Sequence, residues 1–236
     1  TDAAFRRLIA SKGKPDVTWT EFTSADGLVL APEEGRAKLM KKLLYTEGER
    51  PIVAQLFSSV PERMEKAAAL CQELGFDGVD INMGCPDKSV EKSGCGAAMI
   101  KTPELALEMV RAARRGAPNL PISVKTRIGY NVEEIDTWIP IILSEKPANL
   151  TVHLRTRKEM SDVAAHWDLM PRIVALRNKL SPETLIIGNG DLKDIADARE
   201  KVTLAGCDGG MLGRAIFGNP WLFAGRATLP SREVRI

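Results

Sequence analysis

Histidine, cysteine and aromatic residues are scarce in this chain of 236 residues, which holds two His, four Cys and 5% Phe, Trp and Tyr. His153 and His166 are too few for a metal cluster, and Cys71, Cys85, Cys95 and Cys207 fall at no zinc-like spacing. A zinc-built fold and a disulfide scaffold are therefore set aside, and no metal is expected. Long apolar runs are missing too: no window approaches the ~18 consecutive apolar residues of a membrane span. The N-terminus lacks the basic-then-apolar order of a secretory signal, so the expectation is a cytoplasmic protein without membrane association. An excess of one charge is also absent. Thirty-three basic against 31 acidic residues leave +2, so any contact with a polyanion must be local.

What remains is an ordinary globular composition, 44% apolar and 27% charged, with 19 Gly and 14 Pro. There is no repeat, no low-complexity stretch and no linker, and the expectation is a single domain over residues 1–236. Short β-prone runs recur at Val17 to Phe22, Ile52 to Phe57, Gly78 to Met83, Ile122 to Lys125, Leu150 to His153, Thr184 to Ile187 and Gly209 to Leu212. Helical signals separate them. Ser59 with Glu62 reads as a capping box, followed by Met64, Ala67, Ala68 and Cys71 at helical spacing. Thr102 before Pro103 and Asn219 before Pro220 each pair an N-cap residue with proline at the first helical position.

Strict alternation of strand and helix allows a doubly wound open sheet or an eight-stranded barrel. The first strand carries no Gly-x-Gly-x-x-Gly loop. Instead two late runs end in glycine loops, Gly188-Asn189-Gly190-Asp191 and Gly213-Arg214, as the phosphate-binding loops after strands seven and eight of a barrel do. The expected fold is an α/β, TIM (β/α)8-type barrel whose first strand lies upstream of Thr1.

Several successive strand ends carry chemistry. Asp80-Ile81-Asn82-Met83-Gly84-Cys85-Pro86 sets a thiol on a turn at the barrel mouth, where a cysteine of pKa near ~8.5 is mostly protonated and can act as an acid, or as a nucleophile if activated. An arbitrary cysteine is more often a small buried hydrophobe, as Cys71 is on its helical face; Cys95, between two glycines, is a second exposed candidate, and Cys207 reads as core. Lys125 ends the next strand and can form a Schiff base or hold a fixed charge beside a developing anion; a solvated lysine is the bland alternative. His153, Arg155 and Arg157 follow, a neutral donor with two guanidiniums suited to phosphate. His166 reads as a loop or helix-start residue. Asn189, Gly190, Asp191, Gly213 and Arg214 complete a phosphate cradle. Together they describe one loaded rim and one phosphate-bearing ligand.

In Gln55-Leu56-Phe57, Asn82-Met83-Gly84-Cys85-Pro86, Gly94-Cys95-Gly96-Ala97-Ala98, Lys125-Thr126-Arg127-Ile128-Gly129, His153-Leu154-Arg155-Thr156-Arg157, Gly188-Asn189-Gly190-Asp191, Met211-Leu212-Gly213-Arg214-Ala215 and Gly218-Asn219-Pro220-Trp221, with Thr1-Asp2 at the start, the chain resembles the tRNA-dihydrouridine synthases over essentially its whole length. The resemblance implies FMN held by Gln55, Lys125, His153, Asn189, Gly190, Asp191, Gly213 and Arg214, with NADPH as electron donor. It also implies Cys85 as proton donor in the reduction of the uridine C5–C6 bond, and Asn82 near the uracil. Arg155 and Arg157 are expected to serve FMN or tRNA phosphates, and the intact protein is expected to be monomeric. Leu154 stands where the family usually has glycine. The family's first strand and its C-terminal helical domain are expected outside this chain. Rival readings are a Schiff-base aldolase using Lys125, a flavin reductase of a free pyrimidine, and a non-catalytic RNA-binding remnant, against which the complete Cys85 motif stands.

Overall fold

The computed structural model describes residues 2–225. The chain runs through α1 (Ala3–Gly13), β1 (Thr18–Trp19), β2 (Thr23–Ser24), α2 (Ala25–Leu30), α3 (Glu33–Met40), β3 (Ile52–Phe57), α4 (Pro61–Glu73) and β4 (Gly78–Met83). It continues through α5 (Lys88–Lys92), α6 (Pro103–Gly116), β5 (Ile122–Arg127), α7 (Ile135–Ser144), β6 (Asn149–His153), α8 (Met170–Leu180), β7 (Leu185–Asn189), α9 (Ile195–Ala205) and β8 (Gly209–Met211). The strands form one parallel sheet in the order β1, β3, β4, β5, β6, β7, β8, with β2 also on β3. This is an α/β fold of the TIM-barrel type. Among the described residues the barrel is open, because β1 and β8 are the two ends of the path.

Period-two patterning explains the layers. Ile52, Ala54, Leu56, Val79, Ile81, Met83, Val124, Leu150, Val152 and Ile186 are buried in the main apolar core together with Met64, Ala67, Ala68 and Cys71 of α4. The alternate residues, including Gln55, Asp80, Asn82, Ser123, Lys125, Arg127, Thr151, His153 and Asn189, therefore share the other, inner face. A polar inner face carries a desolvation penalty unless its groups are paired, so it is there that function is expected. Trp138 is fully buried beneath it, its indole N–H donating to Thr126 Oγ1 at 2.9 Å.

Two local expectations change and a third holds. The first strand run is split: Thr18 and Trp19 pair with Ile52 and Val53, whereas Thr23 and Ser24 pair with Leu56 and Phe57. Between them Thr20 Oγ1 accepts the Gln55 N–H at 3.0 Å, a side chain taking over from the ladder. The Ser59–Glu62 capping box does not form. Pro61 opens α4 without a side-chain cap, and Ser59 instead donates to the Ser93 carbonyl across to the next loop. Asn219 does cap, accepting the Trp221 N–H at 3.3 Å, and a 3-10 turn at Leu222–Ala224 follows.

Candidate active site at the strand ends

Two cavities meet at the carboxyl ends of the strands. The smaller, about 330 Å³, is lined by Gln55, Asn82, Cys85, Lys125, Arg127 and His153, with Trp19 and Met211 at its margin. The larger, about 840 Å³, occupies the opening between β1 and β8 and is lined by Trp19 and Met211 as well as Gly213 and Arg214. Trp19 and Met211 thus belong to both walls, and the two spaces adjoin.

Asn82, Lys125 and His153 reach one cavity because adjacent parallel strands are in register: Asn82 lies beside Lys125, and Arg127 beside His153. Cys85 follows β4 on a turn held by Asn82, whose Oδ1 accepts the Cys85 N–H at 2.9 Å and the Gly84 N–H at 3.2 Å. The thiol stays partly accessible, and burial pushes its pKa above the ordinary thiol value, so it is protonated at neutral pH. Cys95 differs from its sequence reading. It is buried, with Ser93 Oγ 3.4 Å from its sulfur. Cys207 is core, as read.

Lys125 has no hydrogen bond or ion pair among the described residues, and burial lowers its pKa to about 8, against the pull of Asp80. Burial first, and then the charges of Arg127, Lys125 and Arg155, hold His153 far below the usual imidazole range. Arg155 Nη1 lies 3.1 Å from His153 Nε2. Since a guanidinium only donates, Nε2 accepts and the neutral ring carries its proton on Nδ1.

At the far end, Gly213 has open space where a Cβ would stand, and among the described residues no turn or loop hydrogen bond engages its N–H or that of Arg214. The Arg214 side chain is 72% exposed, with only a 3.7 Å approach to Asp191. Free backbone donors beside an uncommitted guanidinium suit a phosphate. Two of the other cradle side chains have partners within the protein: Asn189 donates to the Met211 carbonyl at 2.8 Å, and Asp191 Oδ2 accepts from Arg155 Nη2 at 2.5 Å and from the Ala165 N–H at 2.9 Å. The Asp191 carboxylate thus holds Arg155 and stands 3.7 Å from Arg214. Gly190, at φ +123°, lets the chain pass Ala165 and His153, where a Cβ would lie 2.7 Å from the Ala165 methyl.

The two guanidiniums expected to meet phosphates are otherwise engaged. Arg155 is buried between Val163 O, His153 and Asp191. Arg157 makes a forked pair with Glu91 and lies over the Tyr130 ring. His166 heads a 3-10 turn, its Nε2 2.9 Å from Glu159.

Three groups escaped the sequence reading. Arg127 is a buried guanidinium bonded to the carbonyls of Gly84, Thr156 and Met160, adding positive charge beside Cys85. Asp80 is a fully buried carboxylate, signalled only by being a polar residue in mid-strand. Trp19 carries a buried indole N–H with no partner, and nothing in its local sequence marks it. Unpaired donors on the cavity walls, a partly accessible thiol and a phosphate cradle at one end suit a flat, acceptor-rich ligand bearing a phosphate.

Comparison with known proteins agrees with this reading. A family model described as "Dihydrouridine synthase (Dus)" matches residues 1–235. "Probable tRNA-dihydrouridine synthase 2" of Bacillus subtilis (strain 168) is 44% identical over 224 residues, spanning 94% of this chain and 68% of its own length. "Probable tRNA-dihydrouridine synthase" of Staphylococcus aureus (strain COL) is 40% identical over 224 residues, 94% of this chain and 67% of its own. Among solved structures, the old yellow enzyme homologue from Zymomonas mobilis superposes with a TM-score of 0.61 at 14% identity, covering 92% of this chain and 80% of its own, a likeness of fold.

Proposed function

The chain belongs to the dihydrouridine synthase family of flavin-dependent oxidoreductases, and from that premise we propose that the protein holds FMN across its two adjoining cavities and, with NADPH as electron donor, reduces the C5–C6 double bond of uridines in tRNA. The observation that carries this is the placing of Lys125, with no polar partner, on the same cavity wall as the protonated Cys85 thiol. FMN, when bound, supplies the hydride that uracil C6 receives. The chain's own groups do the rest. Cys85 Sγ holds the proton destined for C5, and Lys125 Nζ holds positive charge beside the electron-rich ring. Gln55 and Asn82 each keep one amide N–H for a carbonyl, His153 offers Nδ1–H, and Gly213 with Arg214 holds the phosphate. No helix among the described residues is long and apolar enough to cross a membrane, and no His/Cys/Asp/Glu group there could hold a metal.

The visible spectrum of the purified protein, followed by mapping of dihydrouridine in tRNA from a deletion strain, tests the reading; a colourless protein, or unchanged tRNA, overturns it. Arg214→Ala should weaken FMN by about 1.5 kcal/mol, the lower end for a charge-assisted bond because water screens this exposed side chain. A flavin titration of the two proteins checks it, and equal affinity would remove Arg214 from the cradle.

RNA phosphates fall to other cations than Arg155 and Arg157. Lys88 and Lys92 on α5, Lys101 and Lys158 are exposed and have no carboxylate partner among the described residues. They gather beside the Cys85 turn: the Ala97 N–H bonds the Cys85 carbonyl, Glu91 holds Arg157, and Lys101 lies 4.3 Å from the Tyr130 ring centre. Replacing all four with alanine should weaken tRNA binding and flatten the slope of log K against log salt by roughly 0.7 to 0.9 for each phosphate no longer neutralised. Binding measured at several salt concentrations decides it; an unchanged slope places the RNA elsewhere.

We assign the opening between β1 and β8 to a further parallel strand, as the family resemblance implies. A form carrying a further strand in that opening should retain FMN more tightly than residues 1–236, because the larger cavity gains a wall. FMN content after gel filtration compares the two, and equal retention would count against that assignment.

A further inference from the structure

The inner face of β4 carries a carboxylate, Asp80, two residues before Asn82. Asp80 is fully buried and forms no ion pair among the described residues, yet both its oxygens accept hydrogen bonds. Oδ2 takes the Gln55 Nε2–H at 2.7 Å, and Oδ1 takes the Ser123 hydroxyl at 2.6 Å. Gln55 Oε1 in turn accepts from Asn82 Nδ2 at 3.0 Å, and Asn82 Oδ1 accepts the backbone N–H groups of Gly84 and Cys85.

This relay has only one consistent direction. An ionised carboxylate can only accept, and a backbone N–H can only donate. With Asp80 at one end and the Cys85 N–H at the other, each of the two amides between them has its orientation imposed from both sides. Each then retains one uncommitted N–H on the cavity wall. Asp80 also lies beside Ser123 while Asn82 lies beside Lys125, so Asp80 and Lys125 are diagonal neighbours on one face of the sheet.

We propose that Asp80 is the positioning residue of this site, aligning the Gln55 and Asn82 amides toward the ligand and supplying the counter-charge to Lys125. The proposal rests on the flavin reading above and names the residue that sets that site's polarity.

Burial raises the Asp80 pKa to about 6. The folded protein therefore holds this proton more tightly than the unfolded chain does. Ionising the carboxylate costs stability, which is lost progressively as pH rises from the ordinary carboxylate range through 6. At neutral pH the ionised carboxylate is therefore less favourable to the fold than its protonated form. The charged or titrating groups facing Lys125 are Asp80 from β4, Cys85 from the following turn and Arg127 from its own strand, with His153 next to it from β6. Asp80 is the one acid among them with a fully buried carboxylate.

Asp80→Asn separates the two roles. An asparagine there can still accept from Gln55 and can donate to Ser123, so the relay persists while the charge is lost. The probe is FMN, titrated into the full-length protein and its variants across pH 6 to 9, with thermal midpoints measured in parallel. The variant should melt at the same temperature or higher, bind FMN about tenfold more weakly at pH 7.5, and lose affinity at a lower alkaline pH than the parent as Lys125 deprotonates earlier. Ser123→Ala, which keeps the charge and the Gln55 bond, should leave that pH profile in place. An Asp80→Asn protein with unchanged affinity and profile overturns the proposal, as does one whose affinity falls only in step with its melting temperature or that fails to fold. A parent protein that binds no FMN at any pH would instead overturn the flavin reading itself.

Discussion

Cys85→Ala should leave the protein yellow and its flavin reducible by NADPH, yet lower uridine reduction by about 100-fold or more, the usual contribution of a positioned general acid. The thiol is the acidic proton best placed on the smaller cavity: Lys125 is proposed as a fixed charge, Arg127 is held by three carbonyls, and His153 is neutral with its free proton on Nδ1. Because burial raises the Cys85 pKa, the acid form persists through neutral pH, and the rate should stay level there and fall only on the alkaline side. Cys95→Ala should be nearly silent in rate, since that sulfur is enclosed by its own loop. Stopped-flow traces of flavin reduction and of its reoxidation by tRNA separate the two steps. Reoxidation that survived in the first variant and vanished in the second would mean that the other thiol is the acid.

Lys125→Met should lower the uridine-reducing step on the order of 100-fold, the loss typical when one preorganised charge or donor is taken from a site where charge develops. Methionine keeps much of the stem and removes the ammonium. Stability should not follow the rate. The folded-state pKa, lowered to about 8, means that below pH 8 the ammonium carries its full burial penalty, which is relieved as pH rises from 8 toward the ordinary lysine value. The variant escapes that penalty but takes the counter-charge from Asp80, so it should melt close to the parent at pH 7. Single-turnover rates and melting curves of the same samples check both. Wild-type rates, or a rate loss that tracks unfolding, would show that the charge is not used in the reaction.

The sequence alone determined the strand–helix alternation, the barrel class, the two faces of each central strand, and the gathering of Cys85, Lys125 and His153 at successive strand ends. These are local or periodic facts: alternation sorts residues between faces, and parallel register then carries strand ends to one rim. Only the tertiary structure decided which polar groups were already taken. Arg155 reaches Asp191 across 36 positions, and Arg157 reaches Glu91 across 66, so neither guanidinium could be recognised as internal from its neighbours in the chain. The same separation hid the relay from Asp80 through Gln55 and Asn82, whose members lie on two strands, and left Ser59 looking like a helix cap when its partner is Ser93. A hydrogen bond or ion pair commits a side chain at ångström range, and its partner comes from whichever strand or loop the fold brings beside it.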